Sequence, residues 1–148
     1  TQYKMVRYAT KYLPEDKVRY LMGVGDPIDI VENVCNGVDI FDCVSPTRLA
    51  RHGHALTRYG KINIKNAKYK SDFTPIEEGC TCYACQNYTK AYIKHLINCE
   101  ETFGARLLSI HNIHYLINLT EELRTAIKND SLLAYRKEFI KNYYGENK

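Results

Sequence analysis

The sequence predicts an α/β chain with a metal-stapled subdomain, on three observations. Two short apolar runs, 18–24 and 38–44, flank a short helical stretch. Three of the six cysteines fall between Cys80 and Cys85. From Tyr88 onward, apolar residues recur at the three-and-four spacing of buried helix faces.

Thr1 to Tyr12 mixes Tyr3, Val6, Tyr8 and Ala9 with cations and suits the end of a helix. Pro14 breaks it by pushing Leu13 toward extended backbone. Val18 to Val24 then reads as a buried strand ending in glycine. Asp26 is placed to cap a helix and Pro27 to occupy its first turn. Ile28, Ile30, Val31, Val34 and Cys35 mark that helix's buried side, and Asn36-Gly37 closes it. A second strand covers Val38 to Val44 and Pro46 ends it. Strand, helix, strand predicts a parallel pair with a right-handed crossover, whose C-terminal ends lie side by side. Ser45 to Gly53 reads as a loop. His54–Thr57 and Lys61–Ile64 form a hairpin around a glycine turn. Residues 66–78 are polar and irregular. Ala91, Tyr92, His95, Leu96 and Cys99 mark one helix, Ile110 to Ile127 a longer one, and Leu132 to Tyr144 a last one.

At 148 residues the chain suits one domain, or one with a small subdomain. It is too short for eight strand-helix units, which need roughly 250 residues. The net charge of +4 accommodates nucleic acid without requiring it. No apolar run reaches about 18 residues, so no membrane-spanning helix is expected. Clustered cysteines without secretory features point to metal ligands in a reducing compartment, the cytoplasm, rather than to disulfides. The chain opens without Met on structured-looking sequence, which suggests a segment of something longer.

Cys80, Cys82 and Cys85 supply three thiolates for one zinc ion and leave a tetrahedral site one ligand short. His95, His111, His114 and Cys99 are all candidates for the fourth. His95 sits on the apolar side of its helix and His111 at the start of the next. Four protein ligands would make the site closed and structural. At the strand ends, Asp42 is a candidate nucleophile or general base, against the alternative of a capping or salt-bridged carboxylate. Cys43 is either a second nucleophile or a small buried hydrophobe. Arg48 and Arg51, three residues apart, suit phosphate or base-edge contacts. Met22-Gly23 offers a polarisable face and an approachable backbone to a flat ligand.

In this order, Arg19-Tyr20-Leu21-Met22-Gly23-Val24-Gly25, Gly37-Val38-Asp39-Ile40-Phe41-Asp42-Cys43-Val44, Pro46-Thr47-Arg48, Cys80-Thr81-Cys82-Tyr83-Ala84-Cys85 and His111-Asn112 resemble the C-terminal portion of the tRNA-guanine transglycosylases, the queuine tRNA-ribosyltransferase family. The likeness runs from Leu13 to about Leu123. It implies the C-terminal part of a modified TIM (β/α)8 barrel with an inserted zinc-binding subdomain. Residues 1–70 would be the last strand-helix units with a recognition loop and hairpin, 71–118 the zinc subdomain, and 119–148 the closing helices.

The resemblance also implies chemistry. Asp42 matches the nucleophile that attacks the ribose at the tRNA wobble position, expelling guanine and forming a covalent aspartyl-ribosyl intermediate. A 7-deazaguanine base then displaces the carboxylate; the pattern looks bacterial, so 7-aminomethyl-7-deazaguanine is the expected base. Tyr20, Met22 and Gly23 match the base pocket. Thr47, Arg48 and Arg51 match the loop that reads a tRNA with a G-U-N anticodon. Cys80, Cys82, Cys85 and His111 match the ligands of one structural Zn2+. The family's acid-base aspartate and most of its base pocket lie in a part absent here, so this segment alone is expected to be inactive. Bacterial members form homodimers with the zinc region near the interface. Asn36, Ile40, His52 and Leu56 depart from the family pattern without touching Asp42 or the zinc ligands. The rival reading is a zinc-stapled RNA- or protein-binding module without catalysis.

Overall fold

The computed structural model describes residues 2–145, which form two compact units. One contains the residues through Ser45 and Leu119–Lys141; the other contains Pro46–Asn118 and the residues from Asn142 onward. Each strand pair has only two members, and no closed barrel is present among the described residues.

In the first unit, α1 (Gln2–Thr10) is followed by β1 (Tyr20–Leu21), α2 (Pro27–Cys35) and β2 (Ile40–Phe41). β1 and β2 are parallel, with Tyr20 opposite Ile40 and Leu21 opposite Phe41. Each expected strand is cut to two residues because carboxylates replace ladder bonds at both ends. Asp39 accepts from the Arg19 amide at 2.8 Å, and Asp42 accepts from the Gly23 amide at 2.9 Å. Gly23, at φ +72°, turns the chain away just beyond β1. The α2 start holds: Asp26 accepts from the Ile28 amide at 3.3 Å and Pro27 opens the helix; Ile28, Ile30 and Val31 are buried as expected, while Val34 and Cys35 are only half-buried. Arg136 closes on Glu32 at 2.8 Å and fixes the last helix to α2.

The second unit begins with a correction. Ser45 to Gly53 is largely not a loop: Ser45–Arg51 is a helix, α3. Pro46, expected only to end a strand, lies in the helix's first turn, where its missing N–H costs nothing. β3 (His54–Thr57) and β4 (Gly60–Asn63) pair antiparallel across Arg58-Tyr59. A 3-10 turn, Ala67–Tyr69, leads toward α4 (Tyr83–Asn87) and α5 (Lys90–Asn98). Ala50, Ala55, Ile64, Cys82, Cys85, Ile93, Leu96 and Leu107 share one core. The hairpin therefore packs with the cysteine segment. Thr1 and residues 146–148, at the ends of the expected segments, lie outside the described residues.

Two helices complete the chain, α6 (Thr102–Lys128) and α7 (Leu132–Tyr144). α6 starts well before the expected Ile110. Its early turns fit closely against α5 because Gly104 has no side chain: a Cβ there would lie 3.0 Å from that of Leu96. On α5 the buried residues are Ile93, Lys94 and Leu96, while His95 and Cys99 are exposed. The placement of His95 on the apolar side is thus corrected, because the buried stripe is rotated by about one residue.

Candidate metal centre and carboxylate site

The cysteine segment folds around its own sulfurs. Cys82 caps α4, its Sγ accepting from the Cys85 amide at 3.3 Å. Gln86 donates to the Cys80 carbonyl at 3.0 Å and holds the preceding turn. These bonds aim three thiols at one point. His111 faces them from the middle of α6, not from a helix start, and is fully buried.

The Nδ1 atom of His111 lies 3.7, 3.6 and 3.4 Å from the Sγ atoms of Cys80, Cys82 and Cys85. All four donor atoms fall within 4.8 Å of one another. A tetrahedral zinc with usual Zn–S and Zn–N lengths would separate sulfur from nitrogen by about 3.6 Å. The other ring nitrogen, Nε2, lies 2.7 Å from the Leu56 carbonyl oxygen. A carbonyl only accepts, so Nε2 carries the proton and Nδ1 is free to face the metal. The cluster thus fits a structural Zn2+ in both spacing and tautomer. All six cysteines are free of disulfides.

Without metal, the cluster's protons are shared unevenly. Cys82 is pulled down to about 3, first by the bond from Cys85 and then by His111, against its burial. Cys85, the donor in that bond, is pushed up. Burial disfavours the His111 cation, but the Cys80 and Cys82 sulfurs outweigh it and raise His111 to about 10. The remaining fourth-ligand candidates are engaged elsewhere. His114 meets Thr81 at 3.2 Å and Asn118 at 2.9 Å, and Cys99 lies 3.9 Å from His95 on the exposed side of α5.

Asn112, next to His111 on α6, is a structural position to which the sequence pattern assigned no role. It is fully buried. Its carbonyl oxygen accepts from the Leu56 amide at 2.9 Å, and its amide donates to the Pro46 and His54 carbonyls at 3.0 and 3.1 Å. Two adjacent polar residues on an otherwise apolar buried stripe were the available signal, since such groups need partners.

At the paired strand ends, Asp42 Oδ1 accepts from the Tyr20 hydroxyl at 2.5 Å and from the Gly23 amide at 2.9 Å. Those two bonds, Tyr20's first, hold the exposed carboxyl below its usual range. The Tyr20 hydroxyl is raised by the same bond. Met22 is 74% exposed, leaving its side chain accessible beside Asp42's partner Gly23. Cys43 packs against Gly25, where a Cβ would lie 1.8 Å from its Sγ. This geometry favours the space-filling reading of Cys43.

Thr47, Arg48 and Arg51 all lie on α3, with both arginines exposed. His52 Nδ1 lies 2.8 Å from the Arg48 carbonyl at the end of this helix.

A family model described as Queuine tRNA-ribosyltransferase matches residues 1–145. Curated relatives with that name include one from Macrococcus caseolyticus, 53% identical over 141 residues, covering 95% of this chain and 37% of the relative. A Lactococcus lactis subsp. cremoris relative is 54% identical over 136 residues, covering 92% of this chain and 36% of its own length. One from Pediococcus pentosaceus is 52% identical over 145 residues, covering 98% and 38%. The chain spans somewhat over a third of the length of these relatives.

Proposed function

The chain belongs to the queuine tRNA-ribosyltransferase family, and on that premise we propose that it forms the C-terminal portion of a tRNA base-exchange enzyme. In this reading the enzyme replaces guanine at the wobble position of a G-U-N tRNA with a 7-deazaguanine base, 7-aminomethyl-7-deazaguanine. β1, α2 and β2 belong to the last units of a modified TIM barrel. The acid that protonates the departing guanine lies outside these residues. The complete enzyme is a cytoplasmic homodimer. No helix among the described residues is long and apolar enough to cross a membrane.

The observation that carries this reading is the double hydrogen bond to Asp42 Oδ1 from Tyr20 and Gly23. The two bonds keep Asp42 ionised and fix its orientation. They leave the second carboxylate oxygen as the nucleophile. That oxygen bonds to the ribose anomeric carbon as the glycosidic bond to guanine breaks, and guanine takes its electron pair. The incoming base then displaces the carboxylate from the same carbon. Two displacements retain the sugar's configuration, as in retaining glycoside transfer. The bonds that depress the Asp42 pKa make it a weaker nucleophile but a better leaving group, which suits the second displacement.

Met22 and Gly23 border the base, Tyr20 acts through the carboxylate, and Thr47, Arg48 and Arg51 hold bases flanking the extruded nucleotide. Cys80, Cys82, Cys85 and His111 would hold zinc. With no open position among four protein ligands, its contribution is structural.

The test is a covalent adduct. The polypeptide at the full length of its relatives, mixed with tRNA, should give a denaturation-resistant complex that Asp42→Asn abolishes while reversible tRNA binding persists. Base exchange undiminished in Asp42→Asn would refute the assignment.

A further inference from the structure

We propose that the stretch from Ser45 to Lys70 is an extended phosphate-binding surface for RNA, in which Lys65, Lys68 and Lys70 contact the tRNA backbone beyond the bases held by α3. The inference rests on the tRNA reading above and deepens it.

Charge is the first observation. The stretch carries seven cations, Arg48, Arg51, Arg58, Lys61, Lys65, Lys68 and Lys70, and no carboxylate. Against a whole-chain charge of +4, the remaining residues therefore sum to −3. An ordinary solvated face interleaves both signs, and segregation of this kind is the footprint of a polyanion site.

The second observation is that these cations are available. Arg48, Arg51, Lys65, Lys68 and Lys70 are all exposed. Among the described residues, none of the five is in an ion pair with a carboxylate. The first acids beyond the stretch are already engaged. Asp72 is held by Lys90 at 3.2 Å, and Glu77 accepts from the Arg58 amide at 2.6 Å.

The third is continuity with α3. Gly53, just past α3, donates to the Ala50 carbonyl at 2.9 Å and accepts from the Ile64 amide at 2.8 Å. The Lys65 stem lies over that glycine, with Cε 3.1 Å from where a Cβ would stand. Lys65 is therefore next to the end of the arginine helix. Its backbone carbonyl accepts from the Lys94 ammonium, which fixes its position. The Lys68 ammonium lies over the buried Tyr69 ring, 5.0 Å from its centroid, and the residue remains exposed. Exposed cations without a carboxylate partner, beginning with Lys65 beside the arginine helix and following closely in sequence at Lys68 and Lys70, fit a phosphodiester chain.

The experiment measures tRNA affinity by fluorescence anisotropy between about 50 and 200 mM salt. It uses the zinc-loaded polypeptide at the full length of its relatives, with and without Lys65→Gln, Lys68→Gln and Lys70→Gln combined. Each lost phosphate contact should lower the slope of log affinity against log salt by ~0.7–0.9, so the triple variant should lose about two to three. An unchanged slope, with zinc content equal to wild type, overturns the proposal. If the triple variant fails to hold zinc, Lys68→Gln and Lys70→Gln are measured singly, and no loss of slope in either has the same meaning. A variant that loses binding to polyglutamate but keeps its tRNA slope would assign the surface to an acidic protein instead, and overturn it. Wild-type protein that binds no tRNA would sink the underlying function rather than this surface alone.

Discussion

His111 is held from behind by Leu56: its Nε2 lies 2.7 Å from the Leu56 carbonyl oxygen, while its Nδ1 faces three cysteine sulfurs. The same bond fits both states of the site. With metal absent, a protonated ring donates from both nitrogens; with metal bound, only Nδ1 gives up its proton. His111→Ala or Cys82→Ser should therefore weaken zinc binding on the order of 100-fold or more. Metal analysis after dialysis against a weak chelator checks this, and full zinc occupancy in either variant would count against the site.

The protonation of His111 gives a pH prediction. Its pKa in the metal-free fold is raised to about 10. A raised pKa stabilises the fold below the ordinary histidine range, and that contribution is lost as pH rises through about 10. Zinc binding near neutral pH must then expel this proton, so affinity should rise with pH. Calorimetry in buffers of different ionisation enthalpy should show proton release. Zinc binding without buffer dependence at pH 7 would contradict the raised pKa.

Tyr20 should set the ionisation of Asp42. Removing its hydroxyl with Tyr20→Phe takes away the strongest bond on the carboxyl and leaves the backbone amides, Gly23's first. The Asp42 pKa, depressed in the fold, should move back up toward the ordinary carboxylate value. The ionised form persists above that pKa and is lost as pH falls through it, so the acidic limb of the activity profile should shift to higher pH. Carbon NMR of the Asp42 carboxyl reports the change directly, and an identical titration in both proteins would exclude this role for Tyr20.

Gly25 should resist any side chain. A Cβ would lie 1.8 Å from Cys43 Sγ and 2.4 Å from its Cβ. Gly25→Ala should cost about 1–3 kcal/mol by overpacking. Cys43→Gly in the same chain should recover much of that loss, a coupling that denaturant melts of the single and double variants would measure.

Asn112→Leu should be more damaging than its similar size suggests. It strands the Leu56 amide and the Pro46 and His54 carbonyls in a dry interior. At about 1–3 kcal/mol for each group left without a partner, a loss of several kcal/mol is expected. A variant melting within a degree of wild type would show that these bonds contribute little.

The legible parts of the sequence were those governed by local chemistry. The Cys80–Cys85 spacing and the Asp26-Pro27 helix start each depend on a few neighbouring residues and appear where expected, while the hairpin forms with its second strand starting one residue early, at Gly60, which was expected in the turn. α3 was missed because Pro46 both ends strands and opens helices, and its place is fixed by distant contacts such as the Asn112 bond to the Pro46 carbonyl. The strands were drawn too long because apolar runs do not show that Asp39 and Asp42 divert the ladder bonds. His95 was misplaced because the packing against Gly104, which orients α5, is not a local signal.

The adjacency of His111 and Asn112 has an evolutionary consequence. Neighbouring side chains on a helix point about 100° apart. One of this pair serves the thiol cluster and the other serves α3 and β3. Inserting a single residue between Gly104 and His111 would swing both out of phase with the α5 contact, whatever that residue was. Lineages can therefore exchange the exposed residues of this helix freely, but they should tolerate almost no insertion or deletion there.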